Sequence, residues 1–211
     1  MKQSTYYYLL RRGVIGGGGS KGLLDTYTGA AAAYSLRKLS SDYSGNAITV
    51  TTDGIDSQDI GFSGSNLDTA ALESFAGSGD AYVSTWYDQS GNSRNFTQST
   101  LANMPKIVSS GTTISQNSKP IVEFDGSTRY MDISAQQTFS DEFFMTFAMR
   151  PTSNANAYGV LLNGPGTAEN RVRVYENRDT HIRVKGTIFS EPLGWDIGTY
   201  TNYTIERGST D

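Results

Sequence analysis

Trp86-Tyr87-Asp88-Gln89-Ser90-Gly91-Asn92-Ser93-Arg94-Asn95-Phe96-Thr97-Gln98 ends a strand and opens a turn. The run before it, Ala81-Tyr82-Val83-Ser84-Thr85-Trp86-Tyr87, has the β-branched and aromatic content of a strand. Ser90-Gly91-Asn92 then supplies a residue at ease with positive φ and the Asx chemistry of a tight turn. Two readings of this exit stay open. Trp86, Tyr87, Asp88, Gln89, Asn92 and Arg94 form a sugar-contacting edge, or the segment is a structural corner in which Asp88 caps backbone amides.

Period two recurs along the chain. Ile48 and Val50 alternate with Thr49 and Thr51, and Phe143, Met145, Phe147 and Met149 alternate with Phe144, Thr146, Ala148 and Arg150. Further short strands are expected around 120–125, 129–133, 158–163, 171–176, 181–186 and 201–206, separated by turn-formers. Two short helices are expected as well. One is the alanine-rich run from Ala30 to Leu39, and the other runs from about Thr69 to Phe75, capped by Asn66 or Asp68 and ended by Gly77.

Four segments together resemble the catalytic domain of the arabinofuranosidase B family. They are Leu23–Arg37, Gln58–Phe62, the YDQSGN turn at 87–92 and Lys119-Pro120-Ile121-Val122-Glu123-Phe124-Asp125-Gly126. The family's relatives include bacteriophage virion proteins. The resemblance spans residues 23 to about 150 and implies an all-β fold, a concanavalin A-like antiparallel β-sandwich or jelly roll, with the two short helices on its flanks. The expected organisation is an arm and linker at 1–22 followed by the sandwich at 23–211.

In that family two carboxylates act on the glycosidic bond, about 5–5.5 Å apart for a retaining outcome. The nucleophile is a Glu followed by Asn at a strand end, which Glu176-Asn177 matches after Arg171-Val172-Arg173-Val174-Tyr175. Three departures are visible. Val174 stands where the family has an acid, the family's vicinal cysteine pair is absent, and the candidates left for the proton donor, Glu191, Asp196 and Glu206, sit in no recognisable motif. The expectation from these departures is a non-enzymatic protein, with Glu176 catalytic only if the chain is an enzyme.

The 211 residues bound one ordinary domain, with 36% hydrophobic and 18% charged residues. Twenty-three glycines and thirteen tyrosines suit a turn-rich β protein. A net charge of −4 argues against nucleic acid as a partner. No cysteine is present, so disulfides and thiolate metal sites are excluded. His181 is the sole histidine, leaving little for zinc or a Ser-His-Asp triad. No apolar run is long enough to cross a bilayer, and Met1–Leu10 followed by Arg11-Arg12 does not read as a secretion signal.

Other candidates are local. Asp53, Asp56 and Asp59 group carboxylates in a loop, either turn-forming or a weak calcium site; no other cofactor is indicated. Arg171, Arg173 and Tyr175 share a strand face with His181, Arg183 and Lys185 in a simple hairpin register. That basic strip suits an acidic glycan or an acidic partner patch, or is a solvated face that resists edge pairing. Tyr6, Tyr7, Tyr8, Leu9 and Leu10 precede the glycine run Gly16–Gly19. They read as an arm docking on a neighbouring subunit, an extra edge strand, or appended linker sequence. A sandwich of this type calls for strands beyond the one at 201–206, supplied by a partner or by further sequence.

The function expected from all this is a phage virion structural protein (fibre, tail or capsid decoration), assembled in the host cytoplasm and exposed on the particle surface. Its expected partners are other virion proteins, copies of itself and a host surface glycan, without membrane insertion.

Overall fold

The computed structural model describes residues 21–133 and, beyond them, 143–150 and the strand segments 158–163, 171–175, 179–184, 187–192 and 201–207. The arm at Tyr6–Leu10, Lys185 and Glu176 lie outside the described residues. The chain divides into two compact units, one ending at Ser134 and the other starting at Ala135.

In the first unit the elements are α1 (Leu23–Thr26), β1 (Ile48–Thr51), β2 (Ser57–Ile60), β3 (Phe62–Ser63), β4 (Asn66–Leu67), α2 (Thr69–Ala76), β5 (Ala81–Trp86), β6 (Phe96–Thr97), β7 (Lys106–Ser109), β8 (Thr112–Thr113), β9 (Ser115–Gln116), β10 (Lys119–Pro120) and β11 (Asp132–Ile133). The second unit holds β12 (Phe143–Met149), β13 (Tyr158–Asn163), β14 (Arg171–Tyr175), β15 (Asp179–Val184), β16 (Thr187–Pro192) and β17 (Thr201–Arg207). All described strand pairs are antiparallel. The class expected from the sequence, an all-β sandwich with two short α-helices, is the class of the structure.

The main sheet of the first unit runs β11-β6-β5-β1-β2, with β7 also on β5 and β8 on β7. Two neighbouring rows of residues cross it in register. The first is Ile60, Ile48, Trp86, Phe96 and Ile133; the second, one residue away on every strand, is Asp59, Thr49, Thr85, Thr97 and Asp132. Because strand side chains alternate between faces, one face is apolar and the other polar at this level. A bulge on β5 after this level brings Val50 opposite Val83. Ile48, Ile60, Val50 and Val83 are fully buried and pack with Leu36, Leu67, Leu72, Ile107 and Val108.

Helix α2 forms where expected. Asp68 accepts a hydrogen bond from the Ala71 amide at its start, and Gly77 ends it at φ 59°, a conformation that glycine adopts without a Cβ penalty. Leu72 and Ala76 face the core, and Glu73 accepts from the Thr113 amide (2.9 Å), tying the helix to β8.

The Ala30–Leu39 helix does not form. The segment is irregular and extended, and the helix nearest to it is the single turn α1. An alanine-rich run this short is marginal as a helix on its own, and its backbone groups find partners across the chain instead, as described below. Ser57–Ile60, read as part of a carboxylate loop, is a strand, since its backbone pairs with β1. Strands β7 and β16 also fall outside the expected set, while the run 120–125 contributes only Pro120 to β10 and a bridge between Glu123 and Lys106.

Asp25 anchors the entry to the domain. Its carboxylate accepts from the Ser40 hydroxyl (2.7 Å), the Gly22 amide (2.7 Å) and the Ser41 amide (2.9 Å). The Ser40 hydroxyl, with the two amides, pulls its pKa down to about 2 from 3.8. A folded pKa below the unfolded one means this contribution is complete above about pH 4 and fades as pH falls through 2.

Two outcomes follow from this architecture. Ile48→Ala should lower unfolding stability by about 2–5 kcal/mol in urea denaturation, because it removes a fully buried side chain from the apolar row; a loss below about 1 kcal/mol would show that the row is not the core. A carboxyl-carbon NMR titration of Asp25 should have its midpoint near 2, and Ser40→Ala should move it upward toward 3.8.

Candidate functional site

The turn after β5 is built around two buried polar side chains. Asp88 is 5% exposed and Gln89 3%. One Asp88 oxygen accepts from the amides of Ala33 (2.8 Å) and Ser90 (2.9 Å), and the other from the Ser90 hydroxyl (2.8 Å) and the Arg94 amide (3.1 Å). The Gln89 side chain accepts from the Leu39 amide (2.8 Å) and donates to the carbonyls of Ser35 (2.9 Å) and Arg37 (3.0 Å). Its backbone amide donates to the Ala33 carbonyl (2.7 Å). Asn92 donates to the carbonyls of Ala30 and Ala31, and Arg94 to that of Ala31. The 30–39 segment is therefore clamped by side chains rather than by a helical ladder, which satisfies polar groups that burial would otherwise penalise.

This geometry corrects the sugar-facing edge at its two central members. Asp88 and Gln89 form a buried clamp, with their polar atoms committed to the chain itself. Trp86 lies on the apolar row against Tyr34, 6.4 Å between ring centroids, and its indole N–H is buried without a described partner. Tyr34 donates its hydroxyl to the Arg94 carbonyl, and burial, with the Asp88 carboxylate, pushes its pKa upward. Tyr87 is on the polar side, where its hydroxyl meets the Thr49 hydroxyl (2.9 Å) and Asp59 (3.2 Å).

The three aspartates of the 53–59 stretch are put to separate uses. Asp53 accepts from the amides of Ile55 (2.8 Å) and Asp56 (3.0 Å), and these bonds lower its pKa. Asp56 contributes its carbonyl to the Thr51 hydroxyl (2.6 Å). Asp59 accepts from Asn46 (2.9 Å) and Thr49 (2.6 Å) within β2. Among the described residues no three His, Cys, Asp or Glu side chains converge as a metal cluster.

In the second unit, β14 and β15 pair with Arg171 opposite Arg183 and Arg173 opposite His181. Tyr175 ends β14 and lies opposite Tyr158 of β13. Glu176 follows directly in sequence.

Sequence reasoning missed a groove of about 470 Å³ in the first unit, lined by Ser57, Thr85, Thr97, Gln98 and Asp132 among others. Its residues come from five separate segments. The only local signal was alternation of Thr with apolar residues in β1.

No protein-family model and no curated protein sequence matches the chain. Solved structures do. The fold is similar to an arabinofuranosidase complexed with arabinofuranosyl-α-1,2-xylobiose, at TM-score 0.65 and 15% identity. It is similar also to a glutamate-to-glutamine mutant of a GH54 α-L-arabinofuranosidase soaked with 4-nitrophenyl α-L-arabinofuranoside, at TM-score 0.65 and 14% identity. A third, a GH54 α-L-arabinofuranosidase soaked with a cyclic sulfate inhibitor, gives TM-score 0.64 and 15% identity. Each match covers 88% of this chain and 48% of the other, so the chain spans about half the length of the structures it resembles. All three are arabinofuranosidases, and that finding overturns the expectation of a non-enzymatic protein to this extent: the fold is one on which those proteins carry hydrolysis.

The clamp generates a pH-dependent outcome. Gln89→Glu replaces a group that donates to two carbonyls with a carboxylate that repels them, which raises the folded pKa of the new acid. Stability should then be lost as pH rises from about 4.3 through that raised value. Urea midpoints at pH 4 and pH 7 should show the variant well below the parent at pH 7 and closer to it at pH 4. Equal deficits at the two values would mean that Gln89 does not donate to these carbonyls.

Proposed function

We propose that this protein is a carbohydrate-active domain of the arabinofuranosidase type that cleaves α-L-arabinofuranosyl groups from a glycan. One observation carries this reading: the fold likeness to arabinofuranosidases extends over 88% of the chain. The YDQSGN turn and the Glu176-Asn177 pair after β14 support it from the sequence.

Glu176 is the proposed nucleophile. In a retaining reaction its carboxylate attacks the anomeric carbon, and a second acid protonates the leaving oxygen. That acid, now a base, then activates the water that releases the sugar. Glu191, Asp196 and Glu206 follow Glu176 in the chain and are the acids to test for the second role. The strip Arg171, Arg173 and Arg183 favours an acidic glycan on the same hairpin.

The proposed setting is the surface of a phage particle, with Tyr6–Leu10 docking on a neighbouring virion subunit. The glycine tether and the sequence resemblance support it. There, many linked copies would turn weak single-site affinity into firm attachment.

The test is release of 4-nitrophenolate from 4-nitrophenyl α-L-arabinofuranoside. The parent chain should release it, and Glu176→Gln should lower kcat by about 10³-fold or more. No release by the parent above buffer, or equal release by Glu176→Gln, would refute the reading.

A further inference from the structure

We infer that the polar face of the first unit's sheet carries a binding site for a neutral oligosaccharide, built from residues to which the proposed Glu176 chemistry gives no role. The inference rests on the proposed carbohydrate-active role and names residues that the role leaves unassigned.

Two facts define the surface. Asp59, Thr49, Thr85, Thr97 and Asp132 stand in register on five adjacent strands, so hydroxyls and carboxylates are spaced across the sheet at the inter-strand distance. The groove of about 470 Å³ opens over the Thr85, Thr97 and Asp132 end of this row. Its volume falls within the roughly 300–1,000 Å³ of ordinary ligand pockets.

The chemistry of the lining selects the ligand. Among the described residues no Lys, Arg or His lines the groove, and its one ionisable side chain is Asp132. A phosphate, sulfate or uronate would meet a carboxylate without a counter-charge. An acyl chain or an apolar helix would leave the hydroxyls without partners, at the cost that burial of polar groups carries. A neutral sugar satisfies both conditions, since its hydroxyls donate and accept as threonine does, and adjacent ones can bond the two oxygens of one carboxylate.

The lining groups also divide by role. Thr51 bonds the Asp56 carbonyl and the Gly54 amide, and Gln98 bonds the Thr100 amide and the Tyr130 carbonyl, so these hold the walls. Neither the Thr85 hydroxyl nor the Asp132 carboxylate takes part in a described hydrogen bond. Ile55, at the rim, is 86% exposed and offers an apolar contact for the C–H face of a sugar ring.

The experiment uses the whole chain carrying Glu176→Gln, so that binding is read without turnover. Amide NMR titrations with arabinofuranosyl xylobiose, an arabinan oligosaccharide and a cello-oligosaccharide should shift Thr85, Thr97 and Asp132 for at least one of them. Oligogalacturonate should leave these amides unmoved. Asp132→Ala and the milder Asp132→Asn, each checked for an unchanged melt, should weaken that binding by about tenfold. Neutral probes that shift none of these amides, oligogalacturonate binding there as tightly, or undiminished binding by both folded variants would each overturn the site. Hydrolysis of the aryl arabinofuranoside, measured separately on the parent chain, distinguishes the two ideas: its absence with the shifts present refutes the Glu176 reading alone.

Discussion

Register across the five-stranded part of the first unit's sheet is the constraint on which the rest depends. Ile60, Ile48, Trp86, Phe96 and Ile133 form one row, and Asp59, Thr49, Thr85, Thr97 and Asp132 form the next. A slip of one residue on any strand would put a carboxylate or a hydroxyl into the core and an apolar side chain onto the polar face. The bulge on β5 keeps this alternation while letting Val50 meet Val83, so the core continues past it.

The second dependence is on the Asp88–Gln89 clamp. A sheet edge or loop packed against a core must satisfy every backbone amide and carbonyl it buries. Here the 30–39 segment meets that demand through side chains, with alternate residues Ala31, Ala33, Ser35, Arg37 and Leu39 offering a carbonyl or amide to the turn. Extended geometry follows from that spacing, and Leu36 is thereby delivered to the core. The turn motif that marks the sequence is thus first a folding device.

The described polar groove belongs to the first unit, and the proposed nucleophile follows a strand of the second. A fold shared with arabinofuranosidases at about 15% identity constrains backbone geometry far more than side-chain chemistry. The hydroxyl-and-carboxylate surface is accordingly a property of this chain's own residues.

The sequence by itself determined the elements whose signals are local. Alternation marked β1 and β12, β-branched and aromatic content marked β5, and the Asp68 and Gly77 caps bounded α2. It also carried the Asp88 turn, though not the direction in which the turn's side chains point. Tertiary structure decided the remainder. Ala30–Leu39 has helical propensity, but a helix there would close its hydrogen bonds internally and leave Asp88 and Gln89 buried without partners. Ser57–Ile60 has three polar residues in four and reads as a loop until β1 supplies its pairing. The groove joins positions from Thr51 to Asp132, and no local pattern encodes which strands become neighbours, because that follows from the one arrangement that buries the apolar row.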